Sequence, residues 1–142
     1  MSKKRDLELF LVDILIAIQK IRNYTQEFSN VDTLIHNELH WDATIRQFEI
    51  IGEALNNLLA EERFSKLSPS YFRKIVNFRN AINHGYFGIV HEEVWDIITT
   101  KLNLLDSDMK SIIKENFDIN AAVKSEVPKH HSVIEYFNKL QL

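Results

Sequence analysis

The chain has 142 residues, 45% hydrophobic and 26% charged, with three glycines, two prolines, no cysteine and a formal charge of −3. That length suits one domain with a core of its own, and so few turn-formers favour long helices over a many-turned β-fold. The lack of thiols excludes disulfides, thiolate catalysis and cysteine-rich zinc sites and suits a cytoplasmic protein, while the net charge weighs against broad, sequence-blind nucleic-acid binding.

The N-terminus, MSKKRDLELF, starts basic, but Asp6, Glu8 and Asp13 break up the apolar run after it, so it reads as neither a secretory signal nor a membrane span. Leu7, Phe10, Leu11, Ile14, Leu15, Ile18 and Ile21 recur at helical spacing and predict a first helix over residues 6–28. A polar link, Ser29 to Asp32, leads into a minor helical turn around Leu34 and Ile35. The second long helix is expected from Trp41 to Glu62, with Ile45, Phe48, Gly52, Leu55 and Leu59 facing a core. Gly52 in that stripe allows a neighbouring helix to come close. Ser68 and Pro69 read as a capping hydroxyl followed by a ring pre-set for the first helical position. The third helix is therefore expected from Pro69 to His84, with Gly85 ending it and Phe87 and Gly88 turning the chain. Val94, Trp95, Ile98, Leu102 and Leu105 mark a fourth helix over His91 to Ile113.

Four helices with short links predict an all-α fold, an antiparallel four-helix bundle over residues 1–116. After Asn116 the pattern weakens. Asn120 to Pro128 reads as a linker and His131 to Leu140 as a short terminal helix, so residues 117–142 form a C-terminal extension.

Charge is unevenly spread. No Asp or Glu occurs from Arg63 to Val90, although the chain holds 20 acids, and Arg63, Lys66, Arg73, Lys74 and Arg79 all fall in that window. A chance gap explains this, and so does a locally positive surface facing an anion. Inside the window lies FRNAINHGYF, residues 78–87. Residues four apart on a helix share a face, which pairs Asn80 with His84 and Arg79 with Asn83 in one broad polar corner at the helix end. The second helix offers Arg46, Glu49, Glu53 and Asn57 as a charged stripe. Taken alone, that stripe is a solvated face with an internal ion pair, and His84 alone is a histidine satisfying the last carbonyls of its helix.

Taken together, Arg79, His84 and Tyr86 spell R-x4-H-x-Y, with Asn80 directly after the arginine. This resembles the signature of the HEPN ribonuclease superfamily, specifically the HepT toxins partnered with MntA-type nucleotidyltransferase antitoxins. The stretch DATIRQFEIIGEAL, residues 42–55, is similar to that family's second helix, and the match runs over roughly residues 5–110. The resemblance implies a HEPN-like bundle and a metal-independent endoribonuclease toxin of a type VII-like toxin–antitoxin pair. It leaves a 2′,3′-cyclic phosphate and works as a homodimer in which two R-x4-H corners meet across a cleft. In that reading Arg79 and His84 are catalytic, and Asn80, Arg46, Glu49 and Glu53 support them. The antitoxin transfers AMP onto Tyr86 and so silences the nuclease. RNA and the nucleotidyltransferase are the implied partners, with the dimer able to join a larger hetero-oligomer, and no cofactor is implied. The alternative is a non-catalytic helical nucleotide- or RNA-binding subunit of a nucleotidyltransferase.

No metal site is expected. His36 and His40 have i, i+4 ligand spacing but no third ligand nearby. His91, Glu92 and Glu93 suit the first turn of the fourth helix, and His130 and His131 belong to no recognisable constellation.

Overall fold

The computed structural model describes residues 6–84 and 91–142 and is all-α, with no strand among the described residues. The first helix, α1, spans Leu7–Thr25, α2 Val31–His36, α3 Glu38–Leu59, α4 Glu62–Ser65 and α5 Tyr71–Asn83. A further helix runs through α6 (His91–Asp96), a π-helical turn (Ile97–Lys101) and α7 (Leu102–Asn116). The tail folds as α8 (Asn120–Glu126), two 3-10 turns and α9 (Ile134–Lys139). The turn expected at Gly85 to Gly88 lies outside the described residues.

The central element is α1. Leu11, Val12, Ile14, Leu15, Ile16, Ala17, Ile18 and Ile21 are all buried, so the helix is covered nearly all round rather than along one stripe. Its main neighbour is α3, which in turn packs on α5, while α7, α8 and the turn at His131–Val133 cover other parts of it. Between α5 and α7, the Tyr71 hydroxyl donates a 2.5 Å hydrogen bond to Asp108. Burial first, then that bond and the Asp108 charge, raise the Tyr71 pKa above the ordinary phenol value and keep it a donor.

Three boundaries differ from the sequence reading. The second long helix starts at Glu38 because Asn37 caps it, its side chain accepting from the His40 N–H at 3.2 Å. Ser68 does not cap α5. Its hydroxyl donates back to the Ser65 carbonyl at 2.7 Å, and the turn into α5 opens with Phe72 N–H donating to the Pro69 carbonyl at 3.2 Å. The stretch Asn120 to Pro128, with the composition of a linker, is mostly helical. Ala122 and Val127 are buried in the main core, together with Phe117, Ile119, Val133 and Phe137.

The π turn has a packing reason. Val94 and Leu102 are both buried but eight residues apart, about 80° out of register on a regular helix. One extra residue per turn reduces that to about 20°. Thr99 and Thr100 donate their hydroxyls to the carbonyls of Trp95 (2.9 Å) and Asp96 (2.6 Å), and Lys101 pairs with Asp96 at 3.4 Å across the wide turn.

Polar contacts tie the tail down. Lys20 Nζ donates to His130 Nδ1 at 2.7 Å, and Arg63 and Lys110 lie over the rings of Phe117 and Tyr136. Burial lowers the Lys20 pKa; burial, then the Lys20 charge, lowers that of His130, which favours the neutral imidazole the bond requires.

Candidate functional site

The site is built where α3 and α5 meet, and Gly52 sets how closely they approach. A Cβ at Gly52 would collide with Cβ of Arg79 and come within 2.5 Å of its Cγ. The stem of Arg79 therefore lies directly on the backbone of α3, and its side chain is only 14% exposed. From there the guanidinium reaches Glu53, with Nη2 3.1 Å from Oε2. Its Nε is buried and has no hydrogen-bond partner among the described residues. Leaving a buried donor unmet costs about 1–3 kcal/mol, so the arginine is fixed but not fully satisfied.

The charged stripe on α3 divides its work. Arg46 pairs with Glu49 at 3.2 Å, one turn before Glu53 takes Arg79. Asn57 supports Glu53 from the next turn, its amide donating to the Glu53 carbonyl at 2.9 Å. Glu49 thus holds Arg46, while Glu53 holds Arg79. An open cleft of 410 Å³ runs along this row, lined by Arg46, Glu49 and Glu53 of α3, Asn83 of α5, and Phe10 and Asp13 of α1.

Asp13 was not among the residues the sequence reading brought to the site, and Asn83, paired there with Arg79 in the polar corner, was given no role. Both carried a signal. Asn83 is four residues after Arg79, and Asp13 interrupts the apolar run from Leu9 to Ile18.

His84 closes α5 as its C-cap, its N–H donating to the Asn80 carbonyl at 3.1 Å, and both side chains are exposed. Around the α5 axis they lie about 140° and 100° from Arg79. One protomer thus presents a fixed guanidinium toward α3 and a solvent-facing imidazole on the next face. Tyr86 lies outside the described residues.

A larger and more apolar groove of 480 Å³ separates α5 from α6, floored by Ile75, Phe78 and Ile97. Glu92, Glu93 and Asp96 rim it together with Lys74 and Lys101. Neither Arg79 nor His84 lines either cleft, and we place the site at the smaller one because Glu53, the partner of Arg79, forms part of its wall. His36 and His40 are split between two helices at Asn37, so they share no helix face. His36 Nδ1 is 2.6 Å from the Asp32 carbonyl and His40 Nδ1 is 2.9 Å from the Asn37 side chain. Among the described residues no group of three or more His, Cys, Asp or Glu side chains is placed to hold a metal.

Residues 14–115 match the model of the family described as ribonuclease HepT-like. The chain belongs to the HepT-like ribonuclease family. Curated relatives of this HepT-like chain include Putative RNase MJ0127 of Methanocaldococcus jannaschii, 32% identical over 79% of this chain and 91% of that protein. Putative RNase TTE0752 of Caldanaerobacter subterraneus subsp. tengcongensis is 34% identical over 77% of this chain and 92% of its own length. A third, named Gamma-glutamylcyclotransferase and putative RNase MJ0434, is 28% identical over 96% of this chain but 63% of its own length. That match takes in the tail as well as the bundle. No solved structure matches the chain. Among the described residues no helix is long and apolar enough to cross a membrane.

Proposed function

We propose that this HepT-like chain is a metal-independent endoribonuclease, the toxin of a type VII-like toxin–antitoxin pair. The observation that carries this reading is the state of Arg79. It is anchored on Gly52, aligned by Glu53, and has a buried Nε–H without a partner among the described residues, five positions before an exposed histidine. A planar guanidinium so held suits the oxygens of a phosphate whose charge grows during reaction.

The reaction needs little else from the protein. A base removes the proton of the ribose 2′-OH, and the 2′ oxygen attacks the adjacent phosphorus. The bond from phosphorus to the 5′ oxygen breaks, and an acid protonates that leaving oxygen. The products are a 2′,3′-cyclic phosphate and a 5′-OH, with protons balanced between base and acid. Imidazole is suited to either transfer near neutral pH. In one protomer the single His84 faces away from Arg79, so a homodimer in which two such corners meet supplies both an acid and a base. Arg46, held by Glu49 on the cleft wall, adds a second positive charge for the substrate backbone. Asn80 shares the exposed face of His84 and is placed to orient it or the RNA.

In this reading the partner is an MntA-type nucleotidyltransferase, which silences the enzyme by transferring AMP onto Tyr86. An adenylate there adds negative charge two residues from His84 in the sequence, which opposes the binding of RNA phosphate.

The test is cleavage of RNA in chelator by wild type, His84→Ala and Arg79→Ala. Loss of acid–base catalysis should lower the rate on the order of a hundredfold or more. Wild-type rates in His84→Ala would replace the nuclease with the alternative, a non-catalytic RNA- or nucleotide-binding subunit. Activity that vanishes in chelator and returns with a divalent ion would overturn the metal-independent mechanism.

A further inference from the structure

The outer face of α5 carries a stripe that extends the catalytic corner back along the helix. At about 100° per residue, Arg73, Asn77, Asn80 and His84 fall within about 60° of one another around the helix axis. All four are exposed; of the buried residues Ile82 lies on the opposite side and Phe72 on a flank, while Val76 borders the stripe. Lys66, also exposed, stands just before the helix. Most basic side chains of the described chain are paired: Arg22, Arg46, Arg63, Arg79, Lys101, Lys110, Lys129 and Lys139 each meet a carboxylate. Neither Lys66 nor Arg73 has an ion pair among the described residues, and for Arg73 the sequence places no acid within ten residues on either side. Lys74 turns to the other flank, into the groove rimmed by Glu92, Glu93 and Asp96.

We infer that this stripe is a binding track for single-stranded RNA, leading along α5 from Arg73 to the scissile position at His84. The inference rests on the ribonuclease reading and names where the substrate lies beyond the cut. Arg73 takes a backbone phosphate, with Lys66 beyond it, while Asn77 and Asn80 offer donors and acceptors to sugar or base edges between. From Arg73 to His84 the rise is about 16 Å, the length of roughly five stacked nucleotides at ~3.4 Å each. One row of side chains on a convex helix contacts one strand, and a single arginine with flanking amides recruits it without the many phosphate contacts that a chain of charge −3 lacks.

The probe is a 2′-O-methyl RNA decamer, which lacks the attacking hydroxyl, titrated against wild type, Arg73→Gln and Lys114→Gln over a range of salt. Lys114 is an exposed lysine on α7, away from the stripe. Losing one single-strand phosphate contact should flatten the slope of log affinity against log salt by about 0.7 and weaken binding about fivefold at 0.1 M salt. Arg73→Gln should show both changes, and in cleavage assays a KM raised about as much with kcat unchanged. Lys114→Gln should match wild type. Equal affinity and slope in Arg73→Gln, beside normal cleavage by wild type, overturn the track and leave the nuclease standing. RNA binding with that slope change but no cleavage keeps the track and removes the nuclease. Conversion of a dimer to a monomer by Arg73→Gln in sedimentation overturns the track in favour of a protein–protein face.

Discussion

Replacing Gly52 with alanine tests the geometry on which the site depends. The new methyl group would stand 2.5 Å from Cγ of Arg79 and closer still to its Cβ. Ordinary carbon contacts need about 3.5–4.0 Å, so the side chain or the helix must give by about 1.5 Å or more. Rotating Arg79 about its first side-chain torsion moves Cγ but not Cβ, which is fixed to the α5 backbone. Relief therefore has to come from α3 and α5 moving apart. Overpacking of this kind costs about 1–3 kcal/mol, and the better helix propensity of alanine returns about 1 kcal/mol. The net loss is roughly 0–2 kcal/mol, a melting temperature lower by at most about 8 °C for a chain of this size. The effect on cleavage should be far larger. A displacement of about 1 Å at a positioning residue can cost on the order of a hundredfold in rate.

The assay pairs thermal unfolding by circular dichroism with single-turnover RNA cleavage, using Asn56→Ala on the exposed side of α3 as control. Gly52→Ala should lose about a hundredfold in rate while keeping most of its stability, and Asn56→Ala should change neither by much. A Gly52→Ala protein that melts and cuts as wild type does would refute the argument that the close crossing positions Arg79.

Two further outcomes are expected. After incubation with an MntA-type nucleotidyltransferase and ATP, intact-mass measurement should find added AMP on wild type and none on Tyr86→Phe, and that variant should keep most of its cleavage yet escape silencing; the same added mass on Tyr86→Phe removes the tyrosine from the account. The folded-state pKa of His130 is lowered by burial and by the Lys20 charge, against the opposing pull of Asp13 and Glu126, so the unfolded chain takes the proton first as pH falls. The stability of the tail contact is then present above the ordinary histidine value and lost as pH drops through it, and wild type should lose more melting temperature between pH 7.5 and 5.5 than His130→Gln does; equal losses would refute it.

How far the site could be read from the chain depended on whether the relevant contact was local. The R-x4-H spacing and the glycine in the α3 stripe are both local, and together they anticipate a polar corner seated against a close helix crossing. The partner of Glu53 was not legible. Arg46 and Arg79 both compete for it, and only the placement of α5 on Gly52 decides for Arg79. The tail misled for a related reason. Asn120 to Pro128 has too few apolar residues to predict a helix, yet Ala122 and Val127 suffice because α1 presents an uncovered apolar surface for them to meet. The π turn likewise follows from register between buried residues on either side of it, which no window of a few residues reveals. Ser68 had two carbonyl or amide partners in reach, and the helix end behind it won.

The five-residue step from Arg79 to His84 has a physical reason. A step of three or four would place both side chains on one face, where packing against α3 would bury the imidazole along with the guanidinium. Burial suits the arginine. Its charge is permanent, and in the proposed reaction fixing it in advance suits it to a developing phosphorane. A histidine that must gain and lose a proton is better served by solvent and by the end of a helix, where the backbone is least constrained. A step of five, about 140°, separates the two environments within one turn and a half. The separation also means that a single corner cannot surround a phosphate. A second corner, facing the first, would put one protomer's histidine opposite the other's arginine. The spacing that protects each residue's chemistry is therefore also the reason the proposed nuclease needs two copies.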